Sequence, residues 1–188
     1  MSRLFELKNI IGVKDATGDL DRVDQQLKAM GKDFIQLTGN DDNALEFNKR
    51  GGSGAISVTA NIAPKLCSRF QSLSILTDDK SKKEAKELDD IMQPLHSAMF
   101  VESNPSPVKY AAKQLGLCDD TVRLPLVKVT EKTKEIINKA LKSTKLIRII
   151  SPFFTTAYES VILTLTFLID LISEPLRTIP ASNKSSKK

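Results

Sequence analysis

The residue with the clearest capacity for chemistry is Lys14, because the apolar run from Ile10 to Val13 ends abruptly in this cation. If the run is a buried parallel strand, its carboxyl end places Lys14 where open α/β sheets and barrels position their active sites. A lysine held near apolar walls loses solvation of its ammonium form, and the free amine becomes available to attack a carbonyl carbon. We therefore expect Lys14 in a shielded pocket, able to form an imine. The alternative is a strand-end lysine whose ammonium group extends to solvent.

Two other groups of residues carry weaker signals. His96 is the only histidine, and no second base or nucleophile accompanies it at a recognisable spacing, so we interpret it as a structural or surface residue. Gly51, Gly52 and Gly54 precede an apolar run, whereas a phosphate-binding glycine loop follows a strand and opens a helix. We interpret these glycines as parts of a turn.

The cysteines give no indication of a metal site or a disulfide. Cys67 and Cys118 lie far apart, and neither has a partner at metal-ligand spacing. This usage is typical of a reducing compartment, and the first residues contain no apolar core of secretory length. We expect a cytoplasmic protein that needs no cofactor and no metal.

Composition describes a globular protein of one domain or slightly more. The chain has 188 residues, of which 40% are hydrophobic and 27% charged. Its net charge of +5 invites a nucleic-acid interpretation, but residues 143–188 carry 6 basic against 3 acidic residues, so residues 1–142 are nearly neutral. Since no nucleic-acid-binding motif accompanies the charge, we expect no nucleic-acid partner.

The first third of the chain alternates between strand and helix patterns. Three apolar runs have the length of buried strands: Ile10 to Val13, Phe34 to Leu37, and Ala55 to Val58. A helix capped by Asp19, and a short helix capped by Asp42 or Asn43, lie between them. This order predicts a parallel α/β sheet with right-handed crossovers.

Helices dominate from residue 63 onward. Four of them are predicted, with starts at Pro64, at Asp78 or Asp79, at Asn104-Pro105 and at Thr130-Glu131. Pro94 lies in the middle of the second and should bend or break it.

Residues 147–188 differ in character and are called the C-terminal segment here. A helix that starts at Ser151-Pro152 and runs to Ile172 is predicted, but its charge-free part, Ser160 to Ile169, is well short of the ~20 residues that span a membrane. It is either a helix packed on a partner, a poorly folded extension, or a helix on a membrane surface, supplemented by terminal lysines. We predict three regions: residues 1–77, residues 78–146 and residues 147–188. The last region is first apolar and then basic.

Several motifs together carry a family resemblance. Residues 11–19, IGVKDATGD, closely resemble the Schiff-base strand of the dihydrodipicolinate synthases, which are pyruvate-dependent aldolases also called 4-hydroxy-tetrahydrodipicolinate synthases. The likeness continues in register over residues 37–42, 51–61, 101–109, 115–117 and 124–126, and covers residues 4 to 146.

The resemblance implies a fold and a reaction. It implies the last three strands of a (β/α)8 TIM barrel, followed by a helical region. Lys14 matches the lysine that forms an imine with pyruvate, and Ile56 matches a residue whose backbone carbonyl faces the pyruvate site. The enamine attacks aspartate semialdehyde, in lysine and diaminopimelate biosynthesis. Gly39 and the loop around Asn40 match the rim of the pocket, although Asn40 departs from the acidic residue often found there. A homo-oligomer is also implied.

The resemblance leaves part of the family's machinery outside the matched residues. The proton-relay tyrosine and threonine, the arginine for the aldehyde's carboxylate and the threonines for pyruvate's carboxylate belong to the first half of the barrel, and neither Tyr110 nor Tyr158 falls in a matching place. A closed barrel takes about 200 residues or more and eight strands. We therefore expect a synthase of impaired activity. The alternative is a non-catalytic remnant in which residues 153–172 dock on a partner or a membrane surface.

Overall fold

A computed structural model describes residues 1–146 and gives an α/β fold with one parallel sheet. Its strands are β1 (Gly12–Asp15), β2 (Ile35–Thr38) and β3 (Gly54–Ala55), in the order β1-β2-β3. Both pairings are parallel, with Lys14 opposite Leu37 and Leu37 opposite Gly54. The predicted three-stranded parallel sheet is confirmed.

The strand bounds predicted from apolar runs were displaced. β1 begins two residues after Ile10 and extends through Lys14, because its backbone pairs with β2 from Gly12 onward. A Cβ on Gly12 would lie 2.5 Å from the carbonyl oxygen of Ile35, so the two strands approach closely there. β3 keeps only two residues, since the chain after Ile56 turns into a 3-10 helix over Thr59–Asn61.

Seven α-helices occur among residues 1–146. They are α1 (Ser2–Phe5), α2 (Asp21–Met30), α3 (Ala44–Lys49), α4 (Pro64–Ser74), α5 (Asp79–Ala98), α6 (Ser106–Gln114) and α7 (Glu131–Ser143). A 3-10 helix over Asp41–Asn43 precedes α3.

The predicted helix starts were right at five positions and displaced by one residue at the sixth. α4 and α6 begin at or beside the predicted prolines, and the side chains of Asp78 and Thr130 cap α5 and α7 by accepting backbone N–H groups. Asp19 does not cap α2: its carboxylate accepts from the Asp21 N–H, while Leu20 holds the capping position. Asn43 holds the capping position of α3 as predicted, although its side chain makes no capping hydrogen bond.

Pro94 does not break α5, which runs for 20 residues through it. The proline ring is exposed, whereas Met92 and Leu95 on either side are fully buried. Burial of the apolar face of α5 outweighs the loss of one helical hydrogen bond at Pro94.

The core lies between α3 and the helices α4 to α7. Its largest fully buried apolar side chains are those of Phe70, Met92, Leu95, Met99, Ile137 and Leu141. Within residues 1–146 the sheet is covered on one face only: Gln36 is buried and donates from Nε2 to the carbonyl of Val23 on α2, 3.2 Å away, whereas Ile35 on the opposite face is 40% exposed.

Two sequence predictions fall outside residues 1–146. The interpretation of residues 153–172 as a docking helix lies there, and so does the boundary after residue 146. Within the described part, none of the helices combines the length and the apolar character that crossing a bilayer requires.

Candidate active site

The carboxyl ends of the three strands converge on one cavity of about 660 Å³. Lys14 reaches it from β1, Gly39 and Asn40 from the residues that follow β2, and Ile56 from the residue that follows β3. Parallel pairing produces this convergence, because successive strands present the same end to the same edge of the sheet. The structure thus brings together the four residues that the sequence analysis placed at one pocket.

The cavity does not shield Lys14, which is exposed. The expectation of an enclosed lysine is wrong for residues 1–146. The physical reason is that Lys14 shares the sheet face of Ile35, opposite α2, and this face is left uncovered within residues 1–146. The lysine makes no ion pair within the described residues.

Gly39 lies directly against the Lys14 side chain. A Cβ at Gly39 would stand 2.7 Å from Cε of Lys14 and 2.7 Å from Cβ of Ala16. Real side chains do not approach so closely, so only glycine allows the lysine stem to lie over the backbone here. The glycine therefore leaves the space that the Lys14 side chain occupies at the cavity.

Ile56 forms the third edge of the cavity. Its N–H donates to the carbonyl oxygen of Thr38 at 2.9 Å, which extends the pairing of β2 and β3 by one residue. Its side chain is 50% exposed. A role for its carbonyl group in holding a ligand remains a prediction.

Asp41 is a positioning residue to which the sequence analysis gave no role. Its carboxylate is 4% exposed and accepts the backbone N–H groups of Val58 and Thr59, at 2.9 and 3.0 Å. It ties the loop after β2 to the segment after Ile56, and so holds two edges of the cavity together. The only feature of the sequence that could have indicated this role is the presence of an acidic residue next to Asn40, in the loop that follows a predicted strand.

His96 supports the same segment from α5. Its Nδ1 lies 2.7 Å from the hydroxyl of Thr59, and the ring is 3% exposed. Burial lowers the pKa of His96, although the nearby carboxylates of Asp41 and Asp89 oppose this effect. The structural interpretation of His96 is therefore the appropriate one.

An ion pair holds the end of β1 in place. Nε of Arg22 lies 2.6 Å from a carboxylate oxygen of Asp15, next to Lys14 in sequence. Burial alone would raise the pKa of Asp15, but hydrogen bonds from Thr17 and Arg22 outweigh it and hold the pKa below its ordinary value. The carboxylate therefore stays charged and anchors the strand to α2.

The far wall of the cavity comes from the helical region. It consists of Phe100, Asn104, Pro105, Val108, Lys109, Ala112, Leu117 and Cys118. Several of these residues belong to the family motifs of the sequence, but their place at the pocket was not predicted, because their distance in sequence from Lys14 hides their proximity in space. No group of three or more His, Cys, Asp or Glu side chains in residues 1–146 is arranged to hold a metal ion.

Comparisons with known proteins agree with this geometry. The model of the dihydrodipicolinate synthetase family matches residues 1–144. The 4-hydroxy-tetrahydrodipicolinate synthase of Pelagibacter ubique is 73% identical over 147 residues, which is 78% of this chain and 50% of that protein. The corresponding enzyme of Parvibaculum lavamentivorans is 51% identical over the same shares.

A solved structure shows the same fold. The dihydrodipicolinate synthase from Acinetobacter baumannii, complexed with pyruvate, aligns with a TM-score of 0.72 at 41% identity, over 78% of this chain and 49% of that one. This chain therefore spans about half the length of the curated relatives it matches, and its α/β fold matches about half of that synthase. The chain belongs to the dihydrodipicolinate synthetase family.

Proposed function

We propose that this chain supplies the Schiff-base half of a dihydrodipicolinate synthase, corresponding to the last three strands of the barrel and the helical region. The observation that supports this most is the convergence of Lys14, Gly39 and Ile56 on one cavity at the carboxyl ends of consecutive parallel strands. Pyruvate and aspartate semialdehyde are the proposed substrates.

The proposed reaction begins at Nζ of Lys14. The free amine attacks the keto carbon of pyruvate, and loss of water leaves an imine. Loss of a proton from the methyl group gives an enamine, whose carbon bonds to the aldehyde carbon of the second substrate. Hydrolysis then releases the lysine. Gly39 positions the lysine stem, while Asp41 holds the segment that follows Ile56.

Turnover requires more of the barrel than residues 1–146 contain. Lys14 is exposed within residues 1–146, and the relay and carboxylate-binding groups that the resemblance implies belong to the first half of the barrel. We propose that the remaining strands, on the same or another polypeptide, enclose Lys14 and supply the relay and carboxylate-binding groups. A cytoplasmic location and a homo-oligomer belong to the same proposal.

Trapping with borohydride tests the proposed chemistry. The chain is incubated with pyruvate and sodium borohydride, which reduces an imine to a stable amine, and the modified lysine is mapped by mass spectrometry. We expect a pyruvate adduct at Lys14 that disappears in Lys14→Gln. Lys65→Gln, which removes a lysine of α4 that does not line the cavity, is the matched control and should label like the wild type.

Absence of an adduct under conditions that label a full-length relative would overturn the proposal. Equal labelling of Lys14 and Lys65 would also overturn it, because it would show only the ordinary reactivity of surface amines.

The exposure of Lys14 favours one second candidate, a chain without turnover whose residues 153–172 dock on a partner or a membrane surface. Liposome flotation with and without residues 148–188 tests it. Equal behaviour of the two chains would dismiss membrane docking by that segment.

A further inference from the structure

Lys14 lies on a sheet face that no element covers within residues 1–146, and the side-chain contacts that hold the end of its strand come from the opposite face. Neighbouring residues of a strand point to opposite faces. Asp15 accordingly contacts α2, and its side chain is only 9% exposed. β1 pairs with β2 alone among the described strands. Such a strand end frays easily, and fraying would move Lys14 away from the cavity.

The carboxylate of Asp15 uses both of its oxygens. One accepts the N–H and the hydroxyl of Thr17, at 2.9 and 2.6 Å, and the other lies 2.6 Å from Nε of Arg22 on α2. Hydrogen bonds between charged groups are stronger than those between neutral groups. The ion pair therefore joins the last residue of β1 to a helix, and the threonine bonds fix the turn that leaves the strand.

The backbone of Asp15 links this ion pair to the Lys14 side chain. Its carbonyl oxygen accepts the N–H of Gly39 at 2.7 Å, and a Cβ on Gly39 would lie 2.7 Å from Cε of Lys14. The residue that Arg22 holds is thus the one that holds the Gly39 backbone beside the lysine stem. Arg22 is not among the residues that line the cavity, so its effect on Lys14 passes through Asp15.

We propose that Arg22 is a positioning residue for the reaction at Lys14. Its ion pair with Asp15 keeps the end of β1 bonded to the residues that follow β2, and so keeps the Lys14 side chain at the cavity. The inference rests on the proposed function, because it adds a residue to the imine-forming step, in which the orientation of the amine limits the rate. It assigns Arg22 no proton transfer and no contact with substrate.

Arg22→Met tests the proposal, because it keeps an aliphatic stem and removes the donor. We expect borohydride trapping of pyruvate at Lys14 to slow about tenfold, less than the roughly hundredfold that a misplacement of about 1 Å can cost in a closed site. Acetylation of Lys14 by acetic anhydride, which needs no oriented site, should keep its wild-type rate.

The matched control is Arg50→Met. Arg50 is exposed to a similar extent as Arg22 and also pairs with α2, through Asp21 and Asp24 at 2.9 and 3.0 Å, but it does not contact β1 through these bonds. Trapping in this variant should equal that of the wild type. Circular dichroism verifies that every variant is folded.

Two further variants separate positioning from general destabilisation. If Arg22 acts through Asp15, then Asp15→Asn should slow trapping to a similar extent, and the double variant should be no slower than the slower single one. Arg22→Lys keeps a cation within reach of the carboxylate and should recover most of the rate.

Hydrogen exchange of the Gly39 N–H, measured without pyruvate, makes the test independent of the imine chemistry. Arg22→Met should speed this exchange about fivefold relative to Arg50→Met, because the bond from Gly39 to Asp15 opens more often.

The proposal is overturned by unchanged trapping in Arg22→Met, by an equal loss in Arg50→Met, by a parallel loss of acetylation, by additive losses in the double variant, or by no recovery in Arg22→Lys. A wild-type chain that forms no adduct contradicts the proposed function. An unchanged exchange rate of the Gly39 N–H contradicts the role of Arg22 whatever the result of trapping, so the two failures are distinguishable.

Discussion

Gly39 connects backbone geometry to the reactivity of Lys14. In Gly39→Ala, the new methyl group would meet Cε of Lys14 and Cβ of Ala16, both at 2.7 Å. The lysine stem can rotate away, but Cβ of Ala16 is fixed to its backbone, so the end of β1 must shift. We expect slower borohydride trapping at Lys14 and a loss of about 1–3 kcal/mol in the free energy of unfolding, as for overpacked sites. Trapping rates and urea denaturation measure the two effects.

A compensating variant provides the control for this prediction. Ala16→Gly removes the fixed contact, so the double variant should recover most of the trapping rate and part of the stability. If Gly39→Ala labels as fast as the wild type, Gly39 does not position the lysine.

His96 gives the chain a measurable pH dependence near neutrality. Burial lowers its pKa in the folded chain, whereas the unfolded chain binds a proton at about pH 6.5. The unfolded state therefore binds more protons as the pH falls through that value, and the free energy of unfolding decreases on going from pH 7 to pH 5.5. Since this is the only histidine, NMR titration of a single imidazole signal reports its pKa directly.

His96→Gln is the control for this pH dependence. Urea denaturation of this variant between pH 7 and 5.5 should show much less change in stability than the wild type, because carboxylates titrate mostly below that interval. An imidazole pKa at or above 6.5 in the folded chain would contradict the prediction.

At the scale of elements, the sequence predicted the existence of the strands better than their bounds. Apolar runs mark burial, but pairing of the backbone defines a strand, and so β1 extends through Lys14 although a lysine is not part of an apolar run. Backbone pairing also explains why β3 is short. The buried carboxylate of Asp41, in the loop after β2, accepts the backbone N–H groups of Val58 and Thr59, and the strand pairing ends before them. Contacts between distant residues of this kind leave no local pattern.

The helices show which local signals are reliable. Asp78 and Thr130 cap helices as predicted because each is followed three residues later by a free N–H within reach. The effect of Pro94 was wrongly predicted, since the buried neighbours that hold α5 together are contributed by other helices. The position of Lys14 at the end of the first strand could likewise be predicted from the sequence. Its exposure could not, because exposure depends on which other parts of the fold cover that face of the sheet.

At the scale of the whole molecule, the sheet of residues 1–146 has unpaired edges and one uncovered face. β1 and β3 each pair on one side only within the described residues, and the sheet face opposite α2 carries Ile35, which is 40% exposed, and Lys14. Unpaired strand edges and an uncovered apolar face favour association with further strands. In a closed barrel the same face is the packed interior.

This surface predicts that the chain associates with the remaining half of a family barrel. Co-expression with the first half of the 73% identical relative should give a complex that copurifies, because closure pairs both open edges and buries Ile35, at about 1.5–3 kcal/mol per fully buried side chain. With Lys14 enclosed, the complex should consume pyruvate, and this consumption should require aspartate semialdehyde. Lys14→Gln should form the complex without this turnover.

Two matched variants separate specific closure from general adhesion. Ile35→Asp places a charge on the uncovered sheet face and should abolish copurification, whereas Ile91→Asp places the same charge on the exposed face of α5, where Ile91 is 48% exposed, and should leave it intact. Both side chains are partly solvated in the isolated chain, so neither variant should unfold it, which circular dichroism verifies. If the two variants copurify equally well with the partner half, the uncovered face of the sheet is not the surface on which the barrel closes.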